Sequence, residues 1–206
     1  MIAIIDYGVG NLFSLVSSLR SVGADAVVTG DPAVIRSADR LILPGVGAFG
    51  DAADKLAATG LDDLIREEVG RGKELLGICL GMQLLFEKSY EYGVHSGLGL
   101  LAGEVVPFEG MIAPELKIPQ IGWNALRFTQ PNCRLFRGIR EGDFVYFVHS
   151  YHAVGCDDSL AATTEYGIPV TAVVAKDNVF GCQFHPEKSG KVGLAILSAF
   201  AGGVAK

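Results

Sequence analysis

The pentapeptide Gly77-Ile78-Cys79-Leu80-Gly81 sets a thiol between two glycines, each two residues away. This is the form of a nucleophile elbow with sulfur in place of the serine oxygen: a tight strand-to-helix turn that exposes the central side chain. At such a turn a thiolate faces the positive end of the following helix. Taken alone, the same five residues also describe a small hydrophobe at the end of a buried strand, since free cysteine is among the most buried residue types. The second group is Phe184-His185-Pro186-Glu187. In an extended segment residues i and i+2 point the same way, so His185 and Glu187 lie side by side while Pro186 stiffens the link. A carboxylate beside an imidazole fixes its tautomer and stabilises its cation, as a base paired with a thiol requires. Alone this pair reads as a surface histidine beside an acid. Brought to strand ends together with Cys79, it makes a Cys-His-Glu triad.

A third motif, Gly45-Val46-Gly47-Ala48-Phe49-Gly50, is a literal G-x-G-x-x-G. The dinucleotide fingerprint belongs to the first βα turn, with an acid about 20 residues on at the end of the next strand. Here the motif follows the third strand and the next one ends in Cys79, so we set the nucleotide reading aside. Backbone N–H groups in the same loop could instead face a transient oxyanion. The remaining histidines do not suggest metal. His149 and His152 are three apart in a β pattern, as are Cys182 and His185, and that spacing puts the members of each pair on opposite faces. His95 lies in a glycine-containing loop and is expected in solvent. No metal and no cofactor is called for.

These groups need a scaffold that gathers strand ends. The first half alternates apolar runs with helical patterns: strand Ile2 to Asp6, helix Leu12 to Val22 stopped at Gly23, strand Ala26 to Thr29, and a short helix opened by Asp31-Pro32. Strand Leu41 to Leu43, one or two helices within Asp51 to Arg71, strand Glu74 to Cys79 and helix Met82 to Lys88 complete it. Strands separated by helices imply right-handed βαβ units and a parallel sheet covered on both faces, with a ligand crevice at the carboxyl ends of the strands. From about Gly103 the rhythm changes to closely spaced β patterns: Glu104 to Phe108, Gly122 to Phe128, Phe144 to His152, Val170 to Ala175 and Val179 to Phe184. These predict a mixed or antiparallel elaboration, closed by a helix over Val192 to Phe200. With no repeat and no linker, residues 1–206 are expected to form a single domain.

Composition bounds the rest. Half of the 206 residues are hydrophobic and 19% charged, which excludes disordered, collagen-like and low-complexity classes. A formal charge of −6 without a Lys/Arg cluster offers no footprint for nucleic acid or an anionic membrane. Four widely spaced cysteines, Cys79, Cys133, Cys156 and Cys182, are too few for a disulfide framework and are expected as thiols. Met1 runs directly into a strand-like segment with no basic region before it, and the longest uncharged stretch near a terminus, Val192 to Ala205, is too short for a bilayer span of about 20 residues. A cytoplasmic protein is expected.

The elbow Gly77 to Gln83 and the segment Gln183 to Glu187 together resemble the class I (triad) glutamine amidotransferases, an α/β family with a flavodoxin-like three-layer fold. Within it the resemblance is strongest to the glutaminase subunits of imidazole glycerol phosphate synthases, through Ile5 to Asn11, Leu43 to Phe49, Ile121 to Asn124, Tyr146 to Tyr151 and Phe184 to Gly190. Gln120 stands where that group often has histidine, and His152 where an aromatic is common. The resemblance implies hydrolysis of L-glutamine through a thioester on Cys79, with His185 as base and Glu187 as its orienter. It implies an oxyanion site from Leu80 and the Val46-Gly47 region, and substrate contacts from Gln83, Glu91 and His149-Ser150-Tyr151. It also implies a heterodimer with a cyclase subunit that receives the ammonia, near Asn11, Trp123, Tyr146 and Lys191. Two rivals remain: a triad amidotransferase or related cysteine hydrolase with a different acceptor, and a non-catalytic regulatory subunit.

Overall fold

The computed structural model describes residues 1–203. The chain runs β1 (Ile2–Ile5), α1 (Leu12–Ser21), β2 (Ala26–Thr29), α2 (Pro32–Ser37), β3 (Arg40–Leu43), α3 (Phe49–Thr59), α4 (Leu61–Gly70), β4 (Glu74–Ile78) and α5 (Leu80–Gln83). It continues with β5 (Lys88–Ser89), β6 (His95–Ser96), β7 (Glu104–Pro107), β8 (Gln120–Ala125), β9 (Arg127–Phe128), β10 (Phe144–His149) and β11 (Tyr151–Val154). β12 (Leu160–Glu165), β13 (Pro169–Lys176), β14 (Val179–Cys182) and α6 (Gly190–Ala201) close it. The main sheet has the order β2-β1-β3-β4-β14-β13-β12-β9. Its first five strands are parallel and the remainder antiparallel.

The alternation of side chains along each parallel strand assigns them to two apolar layers. Ile2, Ile4, Ile42 and Leu76 face one side, where α1 and α6 supply Leu15, Leu19, Ile196 and Phe200. Ala3, Ile5, Leu41, Leu43 and Leu75 face the other, where α2, α3 and α4 supply Ile35, Leu56 and Leu64. A sheet buried on both faces explains why these strands read as unbroken apolar runs. The Asp31 carboxylate accepts the Ala33 N–H at 2.8 Å, the cap its sequence announced. The Asp51 to Arg71 span is two helices, parted at Gly60. No helix is long and apolar enough to cross a membrane, among the described residues.

Three expectations need correction. The helix expected over Met82 to Lys88 is the four-residue α5, because the carbonyls of the next turn serve a neighbouring segment and not the residue four on. Leu84 accepts from Leu98 N–H, Leu85 from Leu100 and Leu101, Phe86 from Gly99 and Glu87 from Gly97. The Gly122 to Phe128 strand is two, β8 and β9, in different sheets. The Phe144 to His152 strand likewise breaks at Ser150 into β10, which pairs with β8, and β11, which joins the small sheet β11-β7-β5-β6. One strand of the main sheet, β12, carries Ala161, Ala162, Thr163 and Thr164 and gave no apolar signal.

Candidate active site

β1, β3, β4 and β14 run parallel, so the segments that follow them emerge at one edge of the sheet: Tyr7, the Pro44 to Gly47 loop, Cys79, and Gln183 to His185. Cys79 sits at the tip of the β4–α5 turn with φ 54° and ψ −114°, a conformation costly for a side-chain-bearing residue, by about 1–3 kcal/mol. The turn holds it there: its N–H donates to the Cys182 carbonyl at 2.8 Å, and its own carbonyl accepts from Met82 and Gln83 N–H. The flanking glycines are required by close approach. A Cβ on Gly77 would lie 2.6 Å from the Gly81 carbonyl oxygen, and one on Gly81 would lie 1.8 Å from that of Leu43.

His185 follows β14. Its N–H donates to the Tyr146 carbonyl at 3.0 Å and its carbonyl accepts the Ser189 hydroxyl at 2.6 Å, so its backbone is fixed from both sides. The ring Nδ1 meets Glu187 Oε1 at 2.8 Å, with both side chains almost wholly shielded from solvent. Burial alone would lower this imidazole. The hydrogen bonds and charges of Cys79 and Glu187 outweigh it and raise the group to about 9. His185 is therefore an imidazolium at neutral pH, held between Cys79 and Glu187. The helix that follows Cys79 is only four residues long and carries little macrodipole, so His185 is the principal polar partner of the sulfur.

Cys79 and His185 open onto a cavity of about 380 Å³. Val46, Gly47, Leu80, Gln83, Glu91, His149, Ser150 and Tyr151 line it with them, together with Pro119, Val148 and Lys188. Glu187 stands behind the imidazole, outside the lining. Glu91 Oε2 accepts the Phe49 N–H at 2.6 Å; burial raises its carboxyl, against the opposing effect of that bond. Gln83 donates through Nε2 to the Tyr151 carbonyl and to Gln183 Oε1, both at 3.0 Å, which leaves its own Oε1 for a ligand. Gln183 in turn directs its Nε2 toward Cys79 Sγ at 3.8 Å. Sequence reasoning quoted Gln183 in a motif without giving it a role; the signal was its position two residues before His185 in the segment that follows β14.

The histidines depart from expectation. His149 and His152 do not face opposite sides, because the strand breaks at Ser150 between them and both rings pack on Phe108, at 5.1 and 4.8 Å. Burial lowers each to about 4, so both are neutral. His149 Nδ1 donates to the Tyr151 carbonyl at 2.8 Å. His95 is half-buried instead of free in solvent. A Cβ on Gly50 would fall 2.6 Å from its ring, so the last glycine of the G-x-G-x-x-G run serves helix packing.

Of the residues expected at a partner surface, Trp123 is 52% exposed and packs edge-on to Tyr146 at 6.0 Å, while Lys188 lies over the Tyr146 ring. Asn11 is exposed just before α1, beside Gly10, where a Cβ would lie 3.3 Å from the Pro44 ring. Lys191 is exposed in the first turn of α6 and lines a separate groove with Arg20 and Leu194. Sequence reasoning missed Phe13, Ile121 and Phe144, which are exposed by 85%, 61% and 56%.

Three comparisons bear on this chain. A family model described as glutamine amidotransferase class-I matches residues 3–201. The imidazole glycerol phosphate synthase subunit HisH of Wolinella succinogenes is 48% identical over 202 residues, covering 97% of this chain and 98% of the relative. That of Bacillus velezensis is 54% identical over 203 residues, covering 97% and 95%. Among solved structures, PurLQS from Thermotoga maritima superposes with a TM-score of 0.73 over 98% of this chain and 97% of its own, at 21% identity, a likeness of fold.

Proposed function

The chain belongs to the class I glutamine amidotransferase family, and we infer that it works as the glutaminase subunit of an imidazole glycerol phosphate synthase, in histidine biosynthesis. The observation that carries the mechanism is the convergence of Cys79, His185 and the substrate-holding groups on one cavity. The Cys79 thiolate attacks the side-chain amide carbon of L-glutamine and the carbonyl electrons move to oxygen. The Leu80 N–H and an N–H from the Val46-Gly47 peptide stabilise that oxyanion, each donor worth about 3–4 kcal/mol. Collapse expels ammonia, to which His185 gives its proton, and leaves a γ-glutamyl thioester. Water then adds as His185 takes its proton back, a second oxyanion forms and collapses, and glutamate leaves as the thiolate is restored.

Glutamine is held by complementary charge and hydrogen bonding. Glu91, whose carboxylate is half-desolvated, receives the α-ammonium; the free Oε1 of Gln83 accepts from the substrate, and His149-Ser150-Tyr151 contributes its wall. The ammonia passes to a cyclase subunit in a cytoplasmic heterodimer. Its docking surface is the outward face of the β8–β10 ribbon. Register places Trp123 opposite Tyr146, with Ile121 opposite Val148 on the same face, and Val148 itself lines the catalytic cavity. An apolar face continuous with the site suits a partner that must receive a volatile, easily protonated product without solvent between. The test is glutaminase turnover with and without purified cyclase subunit. Binding and stimulated turnover are expected. Glutamine hydrolysis that ignores the cyclase and responds to another synthetase would favour the rival acceptor.

A further inference from the structure

The loop after β3 changes character within four residues: Pro44 and Gly45 are buried, Val46 and Gly47 exposed. Gly47 has φ +98° and open space where a Cβ would stand. The buried half is pinned. The Tyr7 hydroxyl, inside the apolar layer, donates to the Pro44 carbonyl at 2.8 Å. A Cβ on Gly45 would lie 2.8 Å from that same phenol oxygen, 2.9 Å from the Gly81 nitrogen and 2.9 Å from the Leu80 Cβ. The phenol thus holds the Pro44–Gly45 peptide, and Gly45 packs closely against both that phenol and the Leu80-Gly81 turn, so the segments carrying the two oxyanion donors meet at this one residue.

A buried tyrosine that merely satisfies its hydroxyl needs only some acceptor. This one takes the carbonyl of Pro44, just ahead of Gly45 and the exposed Val46-Gly47 pair, across 37 residues of sequence. We propose that Tyr7 is a positioning residue for the oxyanion site: its hydroxyl fixes the Pro44–Gly45 peptide, confines rotation to Val46–Gly47, and so sets where the second N–H points. The proposal rests on the reading of Leu80, Val46 and Gly47 as that site. Burial, and after it the charge of Cys79, holds the phenol protonated well above its ordinary range, so the donor is constant across the working pH.

The test is Tyr7→Phe, which keeps the ring and deletes the donor, measured in the complex with the cyclase subunit. The tetrahedral oxyanion exists only beyond the ground state, so kcat for glutamine should fall roughly tenfold while KM stays within about twofold. Alkylation of Cys79 by iodoacetamide, a displacement that forms no oxyanion, should keep its rate. Unchanged kcat would overturn the proposal. So would a fall in kcat matched by slower alkylation or a higher KM, since that reports general distortion. Gly47→Val separates the two layers of argument. If it lowers kcat while Tyr7→Phe is silent, the oxyanion reading stands and the anchor falls; if both are silent, the oxyanion reading falls with it.

Discussion

Among the four cysteines only Cys79 combines a cavity, a strained elbow and a paired imidazole. Burial raises the thiols of Cys133, Cys156 and Cys182, which keeps them protonated and unreactive. Cys79→Ala should therefore cut glutamine hydrolysis by at least about ten-thousandfold, while the complex still cyclises with added ammonium salt; Cys133→Ala and Cys156→Ala should leave turnover unchanged. The roles of His185 and Glu187 separate by pH. Against burial, Cys79 and Glu187 raise the imidazole to about 9, so its proton, needed by departing ammonia, is present at neutrality and lost as pH rises through that value. The stability contributed by the charged cluster follows the same sign: whole below the ordinary histidine range, lost above about 9. Replacing Glu187 by Gln removes one raising charge and should move the descending limb of kcat/KM to lower pH. Titration of the substrate ammonium is common to both proteins, so the difference isolates the imidazole. Glu187→Gln should also keep roughly a hundredfold more activity than His185→Ala; the reverse ranking would exchange their roles. At this scale the sequence was readable, because an i, i+2 pair around a proline and a thiol between glycines each imply one local geometry. The Gln83–Gln183 contact was not: it joins amides 100 residues apart, and no local pattern encodes it.

The elements position these groups through close approach, and that gives its own test. Gly81→Ala would drive a methyl onto the Leu43 carbonyl at 1.8 Å, backbone against backbone with nothing free to move aside. A cost near 3 kcal/mol or above is expected, which for a chain of this length lowers Tm by roughly 6–12 °C. Gly47→Ala meets no atom within 4 Å, so only its left-handed backbone resists, and its melt should shift far less. Differential scanning calorimetry of the two proteins checks the contrast; equal shifts would mean that the elbow glycine is not a packing requirement. The parallel half of the fold was legible because strands buried on both faces and helices with one apolar stripe have distinct periods. The second half was less so. α5 stops after four residues because residues 97–101 claim the carbonyls of the turn that would continue it, and the Phe144 to His152 run divides at Ser150 between two sheets, neither of which has a local signal. β12 is built of alanine and threonine, whose burial is decided by its neighbours β13 and β9.

Across the whole molecule, the proposed docking face lies on a strand that is bonded directly to His185, the proposed base. β10 turns Val145, Phe147 and His149 inward and leaves Phe144, Tyr146 and Val148 on the outer face with Ile121 and Trp123 of β8. The Tyr146 carbonyl accepts the His185 N–H, and the Tyr146 N–H donates to the Ser189 hydroxyl that itself donates to the His185 carbonyl. A partner seated on Trp123 and Tyr146 thus presses on a strand bonded directly to the base, with no intervening element. Trp123 projects from an exposed ribbon, so its loss should cost the complex and not the fold. Trp123→Ala should weaken cyclase binding by about 2 kcal/mol, roughly thirtyfold in Kd, with Tm of the isolated subunit nearly unchanged. Ile121→Ala, on the same face, should act in the same direction and more weakly. Titration calorimetry against the cyclase subunit measures both, and thermal melts of the free chain provide the control. A Trp123→Ala protein that melts several degrees lower but binds with undiminished affinity would assign the indole to the core and move the docking surface off this ribbon.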